Sequence, residues 1–150
     1  MATKNALIRA ALATLLNSVD LGVFYEKERF SKNTRDMATL YGEQINGGYI
    51  RLISRKRINN YDDRHVITLR YQIVYLLSFI DENDSQLTFE DNLEFFDDAF
   101  MASDEIEPTT QASHRTDEGA GLSVDDTQPV MFAGVLCHRA LMNLTVEYFE

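Results

Sequence analysis

Residues 64–77, RHVITLRYQIVYLL, carry the pattern that most restricts what this chain can fold into. Every second side chain is large and mostly apolar, whereas the intervening side chains begin polar and become apolar towards the end. The first set is His65, Ile67, Leu69, Tyr71, Ile73, Tyr75 and Leu77. Because strand side chains alternate between two faces, the pattern predicts a strand with one buried and one largely wet face. Its length exceeds the usual roughly 5–6 residues, so we expect it in the middle of an antiparallel sheet.

Other segments predict strands that would complete this sheet. Residues 49–58 alternate in part, with Ile50, Leu52 and Ile58 opposed to Arg51, Arg55 and Arg57, and a polar turn at 59–63 makes a hairpin with the central strand. A short edge strand is expected within 22–29, and another strand within 122–131, interrupted near Pro129. Residues 135–149 form the last strand. Its core face is predicted to be Leu136, His138, Ala140, Met142, Leu144, Val146 and Tyr148.

Two segments have the periodicity of amphipathic helices. Residues 6–19 place Ile8, Ala11, Leu12, Leu15 and Val19 on one stripe, with Thr3 as the N-cap. A later helix is expected to begin after a Thr88 cap and to bury Phe89, Leu93, Phe96 and Phe100. A third, short helix is expected at 33–41.

The order of these elements predicts one α+β domain over residues 1–150. Strands come in hairpins with helices between them, which is typical of a mainly antiparallel sheet with helices packed on one face. Residues 103–120 are polar and contain Pro108 and Gly119, so we expect a long loop there. A loop of this length in a compact domain is usually functional or disordered.

Composition narrows the classes of function. The formal net charge is −10, which argues against general nucleic-acid binding, since that normally requires a basic surface. The single cysteine, Cys137, cannot form an internal disulfide. Neither a signal peptide nor an apolar run of roughly 18 residues is evident. We therefore expect a soluble intracellular protein without a membrane partner.

Charge is distributed unevenly along the chain. Residues 81–107 contain eleven acidic residues and no Lys or Arg, whereas residues 51–70 contain six Lys or Arg against Asp62 and Asp63. The sequence thus predicts a basic hairpin and a separate acidic helix. Both could simply be solvated surfaces, and this alternative stays open.

No stretch predicts a catalytic, cofactor or metal site. Asp81, Asn83 and Ser85 match the start of a calcium loop, but Gln86 and Asn92 stand where Gly and Glu are required.

Cys137 and His138 are strand neighbours, so their side chains point to opposite faces and cannot form a dyad. His138 and His65 are expected to be core histidines, and His114 has no partner that the sequence identifies. The acidic side chains of the second helix follow its solvent face, and no phosphate-binding glycine loop is present.

Several short runs together resemble a known family. They are Val23-Phe24, the run 64–71 (RHVITLRY), the helix with Phe89, Leu93, Phe96 and Phe100, the run 132–140 (FAGVLCHRA) and the run 144–147 (LTVE). In this order they resemble the small tail-terminator, or tail-completion, proteins of long-tailed bacteriophages and Mu-like prophages. The resemblance implies a non-enzymatic α+β subunit of a hexameric ring. Such a ring caps the tail tube, ends its polymerisation and offers a surface to a neck or head-completion protein.

A ring requires heterologous contacts, in which one patch meets a different patch of the neighbour. We therefore predict that the hairpin residues Arg51, Arg55, Arg57 and Arg70 face a neighbour's Glu90, Asp91, Glu94 or Asp98. The loop at 103–120 is expected to become ordered against a tail-tube or neck partner. Two other functions stay open: another head–tail connector or neck protein, and a cytoplasmic enzyme or small-molecule binder.

Overall fold

A computed structural model describes residues 3–27, 45–59, 65–79, 84–103, 105–116, 119–132 and 134–150. These residues form an α+β fold with a mainly antiparallel, curled sheet, as predicted. The short helix expected at 33–41, most of the turn at 59–63, and Asp81 and Asn83 of the rejected calcium loop lie outside the described residues. Among those described, no helix combines the length and apolarity needed to cross a membrane.

Helix α1 (Lys4–Ser18) begins at the predicted cap. The Thr3 hydroxyl accepts a hydrogen bond from the Ala6 N–H at 3.1 Å, which satisfies one of the unpaired N–H groups of the first turn. The predicted stripe lies against the sheet, and Leu16 joins it. Ile8, Leu12 and Leu16 are buried, and Ala11, Leu15 and Val19 are partly buried against the same core.

The central strand is where the sequence predicts it. Strand β3 (His65–Ser78) lies between β2 (Asn46–Asn59) and β8 (Val135–Phe149), antiparallel to both. Its predicted core residues from Ile67 to Tyr75 are buried. On β8 the predicted core face is buried from His138 to Tyr148, but Leu136 is exposed, which corrects its assignment. Leu136 lies two residues from His138 towards the start of β8, outside the part of the strand that the second helix covers.

Short strands extend the sheet on both sides. At one edge β1 (Val23–Tyr25) pairs with β2 in parallel, so the first strand is a short edge strand within the predicted range. The far side of β8 pairs with three strands in turn. They are β7 (Pro129–Phe132), β6 (Ser123–Asp126) and β5 (Ala112–Ser113), and β5 in turn pairs with β4 (Glu105–Glu107). The one strand expected within 122–131 is therefore two.

Helix α2 (Ser85–Met101) begins earlier than predicted. The Asp84 carbonyl accepts hydrogen bonds from the Leu87 and Thr88 N–H groups at 3.0 and 3.2 Å. Thr88 thus lies inside the first turn, and its prediction as the N-cap is wrong. Asp84 is the capping residue, in a left-handed conformation with φ +49°, which an Asp tolerates better than most residues. The predicted Phe stripe is confirmed, with Phe89, Phe96 and Phe100 buried.

The polar segment 103–120 is not the continuous irregular loop that its composition predicts. It contains β4 and β5 and buries Ile106, Ala112 and His114. The Glu107 carboxylate accepts hydrogen bonds from the Thr109 and Thr110 N–H groups at 3.1 and 2.7 Å, so the turn after Pro108 has its own polar partners. Composition misled here because only a few apolar side chains are needed to anchor two very short strands.

Both helices pack on one face of the sheet, as predicted. The core between them contains an aromatic cluster around Tyr75, whose ring stacks on Phe89 at 5.4 Å and meets Phe96 edge-on at 5.0 Å. The Tyr75 hydroxyl accepts a hydrogen bond from the Asn92 amide at 2.8 Å. Burial raises the pKa of Tyr75 to about 12. The opposite face of β2, β3 and β8, which we call the outer face, carries no described helix.

Candidate subunit interface

A β-bulge divides the four predicted interface arginines between the two faces of the sheet. Leu52 pairs with Tyr71, but Ser54 pairs with Arg70, so the register shifts at Ile53. Directly opposed residues project to the same face of an antiparallel pair, and the extra residue of a bulge reverses the alternation beyond it. The sequence does not indicate this shift. Apolar and basic residues alternate only in part around Ile53, so a change of face there cannot be distinguished from the general irregularity.

Arg51 and Arg70 therefore share the outer face. Arg51 lies opposite Gln72, whose side chain projects away from the helices, and Arg70 lies opposite Ser54. Both arginines are exposed. The bulge also brings Lys56 to this face, opposite Thr68. Sequence alternation did not single out Lys56, which completes a basic centre on the outer face.

Arg55 and Arg57 project to the helix side instead. Their partners in register are Leu69 and Ile67, which belong to the core that the helices cover. The Arg57 guanidinium forms an ion pair with Glu150 at 2.8 Å, and Lys4 approaches the same carboxylate at 3.5 Å. Such exposed pairs each contribute only about 0–1 kcal/mol. The structure thus divides the four predicted arginines into two pairs, and of the four only Arg51 and Arg70 lie on the outer face.

The four predicted acidic residues do form one surface. Glu90, Asp91, Glu94 and Asp98 are all exposed on α2, because the buried positions of this helix belong to its Phe stripe. Asp97 is turned inward, where its carboxylate accepts a hydrogen bond from the Leu122 N–H at 2.8 Å. Helix α2 packs on the face opposite to Arg51 and Arg70. The basic centre and the acidic helix therefore lie on opposite sides of one subunit.

His65 is only partly buried, which corrects its assignment as a core histidine, whereas His138 and His114 are buried and have partners within the fold. His138 is buried as predicted, stacks on Phe79 at 3.7 Å, and lies 3.0 Å from the Ser85 hydroxyl. This contact joins the start of α2 to β8, beside a cavity of about 230 Å³. The structure supplies the partners of His114 that the sequence could not identify: its Nδ1 accepts a hydrogen bond from the Gly121 N–H at 3.0 Å. Its Nε2 then carries the proton and donates to the Ser103 carbonyl at 2.5 Å.

Cys137 is buried on the outer face, and His138 faces the helices, so the two do not form a dyad. Burial raises the pKa of the Cys137 thiol to about 11, which suppresses the reactive thiolate at neutral pH.

We expect an aromatic disulfide reagent at pH 8 to leave Cys137 unmodified in the folded protein and to label it at once in denaturant. Rapid stoichiometric labelling under native conditions would contradict this burial.

No group of three or more His, Cys, Asp or Glu side chains within the described ranges has a geometry that could hold a metal ion. Asn92, at the twelfth position of the rejected calcium loop, is buried and donates to Tyr75. No protein-family model matches the chain, and no curated protein matches its sequence significantly.

Proposed function

We propose that this protein is a structural subunit of a phage or prophage tail, which caps the tail tube as a hexameric ring and ends its polymerisation. It would assemble in the cytoplasm of a bacterial host, enter the virion where the element is active, and offer its free surface to a neck or head-completion protein. The observation that supports this proposal best is the placement of a basic centre and an acidic helix on opposite sides of one subunit.

This placement suits a ring better than a two-fold dimer. A two-fold interface brings the same patch of both subunits together, so like charges would meet at either surface. A head-to-tail contact joins the basic centre of one subunit to the acidic helix of the next. Such contacts close into a ring when the rotation from one subunit to the next divides a full turn evenly, and the ring then leaves two rims for other partners. Electrostatic complementarity of this kind sets register and association rate more than affinity.

Native mass by light scattering, over a range of protein and salt concentrations, tests the ring. We expect a hexamer, or a monomer that becomes one on concentration, and a six-fold ring with a central channel by electron microscopy. Added salt should weaken the assembly because exposed charges are screened. A monomer or dimer under every condition would contradict the proposal.

Charge reversal at two matched positions tests which arginines take part. Arg70→Glu and Arg55→Glu change the net charge equally, but Arg70 lies on the outer face and Arg55 on the helix side. We expect Arg70→Glu to reduce the oligomer fraction at low salt by about tenfold, since like charges now meet, and Arg55→Glu to leave it close to wild type. Equal effects of the two variants would show that only net charge matters.

A further inference from the structure

A row of three apolar side chains, two of them exposed and the middle one half-buried, lies at the end of the outer face. Ile58, Val66 and Phe149 are directly opposite one another across β2, β3 and β8. Ile58 is 46 % exposed and Phe149 is 59 % exposed. The sequence predicts Ile58 on the core side with Ile50 and Leu52, and the bulge at Ile53 is what turns it outward.

The row is bordered by polar residues of mixed but mainly positive charge. The next row towards the centre of the outer face is Lys56, Thr68 and Glu147, and the following one is Ser54, Arg70 and Thr145. Opposed side chains in neighbouring strands are about 5 Å apart. The apolar row and the basic centre thus form one continuous surface.

Helix α2 carries a matching stripe on its exposed side. Leu87, Asp91, Phe95 and Asp98 follow one another at intervals of four, four and three residues, which places them along one face. Leu87 is 60 % exposed and Phe95 is 51 % exposed. Two large apolar side chains therefore alternate with acids on a helix face that the sheet of its own subunit does not cover.

We propose that the row of Ile58, Val66 and Phe149 binds the Leu87–Phe95 stripe on helix α2 of a second copy of this chain. This inference rests on the ring proposed above and specifies its contact. One surface is apolar with mixed but mainly positive charge beside it, and the other is apolar with negative charge beside it. Both are carried by the same chain, on opposite sides, so the occupant that fits each surface is another copy. The apolar pairs supply affinity, and Lys56 and Arg70 supply register against Asp91 and Asp98.

Three serine variants test this contact by light scattering. Phe149→Ser and Phe95→Ser each remove one half of it, whereas Met131→Ser removes an equally exposed side chain, 62 % exposed, from the other side of β8. We expect each of the first two to weaken self-association by about 30-fold. This factor corresponds to the free energy of burying one aromatic side chain. Met131→Ser should behave as wild type. All three side chains are exposed, so the thermal midpoints of the monomers should agree.

Mixing the two interface variants gives a sharper result. The Phe149→Ser subunit keeps an intact helix stripe, and the Phe95→Ser subunit keeps an intact apolar row, so one sound contact forms between them. We expect the mixture to form heterodimers of twice the 17.2 kDa subunit mass but no rings. Contacts of row with row or of helix with helix would not give this result, because each variant would then pair with itself through its intact surface.

The outcomes separate the two proposals. A wild-type protein that is monomeric under all conditions overturns both the ring and this contact. A wild-type ring that Phe149→Ser and Phe95→Ser leave intact, or a mixture without heterodimers, overturns the contact and leaves the ring standing.

Discussion

Gly48→Ala is expected to lower the free energy of unfolding by about 4 kcal/mol, an effect in the exceptional range for a single substitution. A Cβ at this position would lie 1.7 Å from the carbonyl oxygen of Val74 and 2.8 Å from its carbonyl carbon. Both atoms belong to the backbone of β3, which cannot rotate away as a side chain can. The β2–β3 pair would have to separate at the point where it is most buried. Thermal or urea unfolding measures the loss, and a fall in the midpoint of about 12 °C is expected.

Gly119→Ala is the matched control for this prediction. No atom of the described residues lies within 4 Å of where its Cβ would be, although its φ of +134° disfavours any side chain. Only this backbone cost, about 1 kcal/mol, is expected. Equal losses at Gly48 and Gly119 would show that the approach of β3 does not explain why Gly occupies position 48.

Phe96→Ala is expected to cost about 4 kcal/mol of folding free energy. Phe96 is fully buried, and its ring meets Phe24 at 5.2 Å and Tyr75 at 5.0 Å, both edge-on. Its removal leaves a cavity among β1, β3 and α2, in a cluster whose rigid rings can fill little of it. Urea unfolding with an unchanged dependence on denaturant, but a lower midpoint, is the expected signature.

Phe95→Ala, at the adjacent position of the same helix, provides the comparison. Its side chain is exposed, so in dilute protein, where association contributes nothing, its cost should stay below about 0.5 kcal/mol. The same variant should weaken self-association. Phe96 and Phe95 would then separate the two roles of α2, one side holding the core and the other meeting a neighbour. A large loss of monomer stability in Phe95→Ala would contradict the assigned orientation of the helix.

The sequence by itself determined the α+β class, the central strand, the last strand from Val135 to Phe149, and the buried faces of both helices. These features follow from local periodicity. A side chain's face within one regular strand or helix depends only on its spacing from its neighbours. Thr3 was also recognisable, because a cap acts within three residues along the chain.

Only the tertiary structure decided the features that depend on distant partners. The bulge at Ile53 exists because β2 and β3 pair along their whole length with one residue to spare, and this mismatch is a property of the pair. It sends Arg51 and Arg70 to one face and Arg55 and Arg57 to the other. His114 is held by Ser103 and Gly121, and Asp84 starts α2 ahead of the predicted cap at Thr88. The pattern along one strand establishes that it has two faces, but the register with its partner decides which residues share a surface.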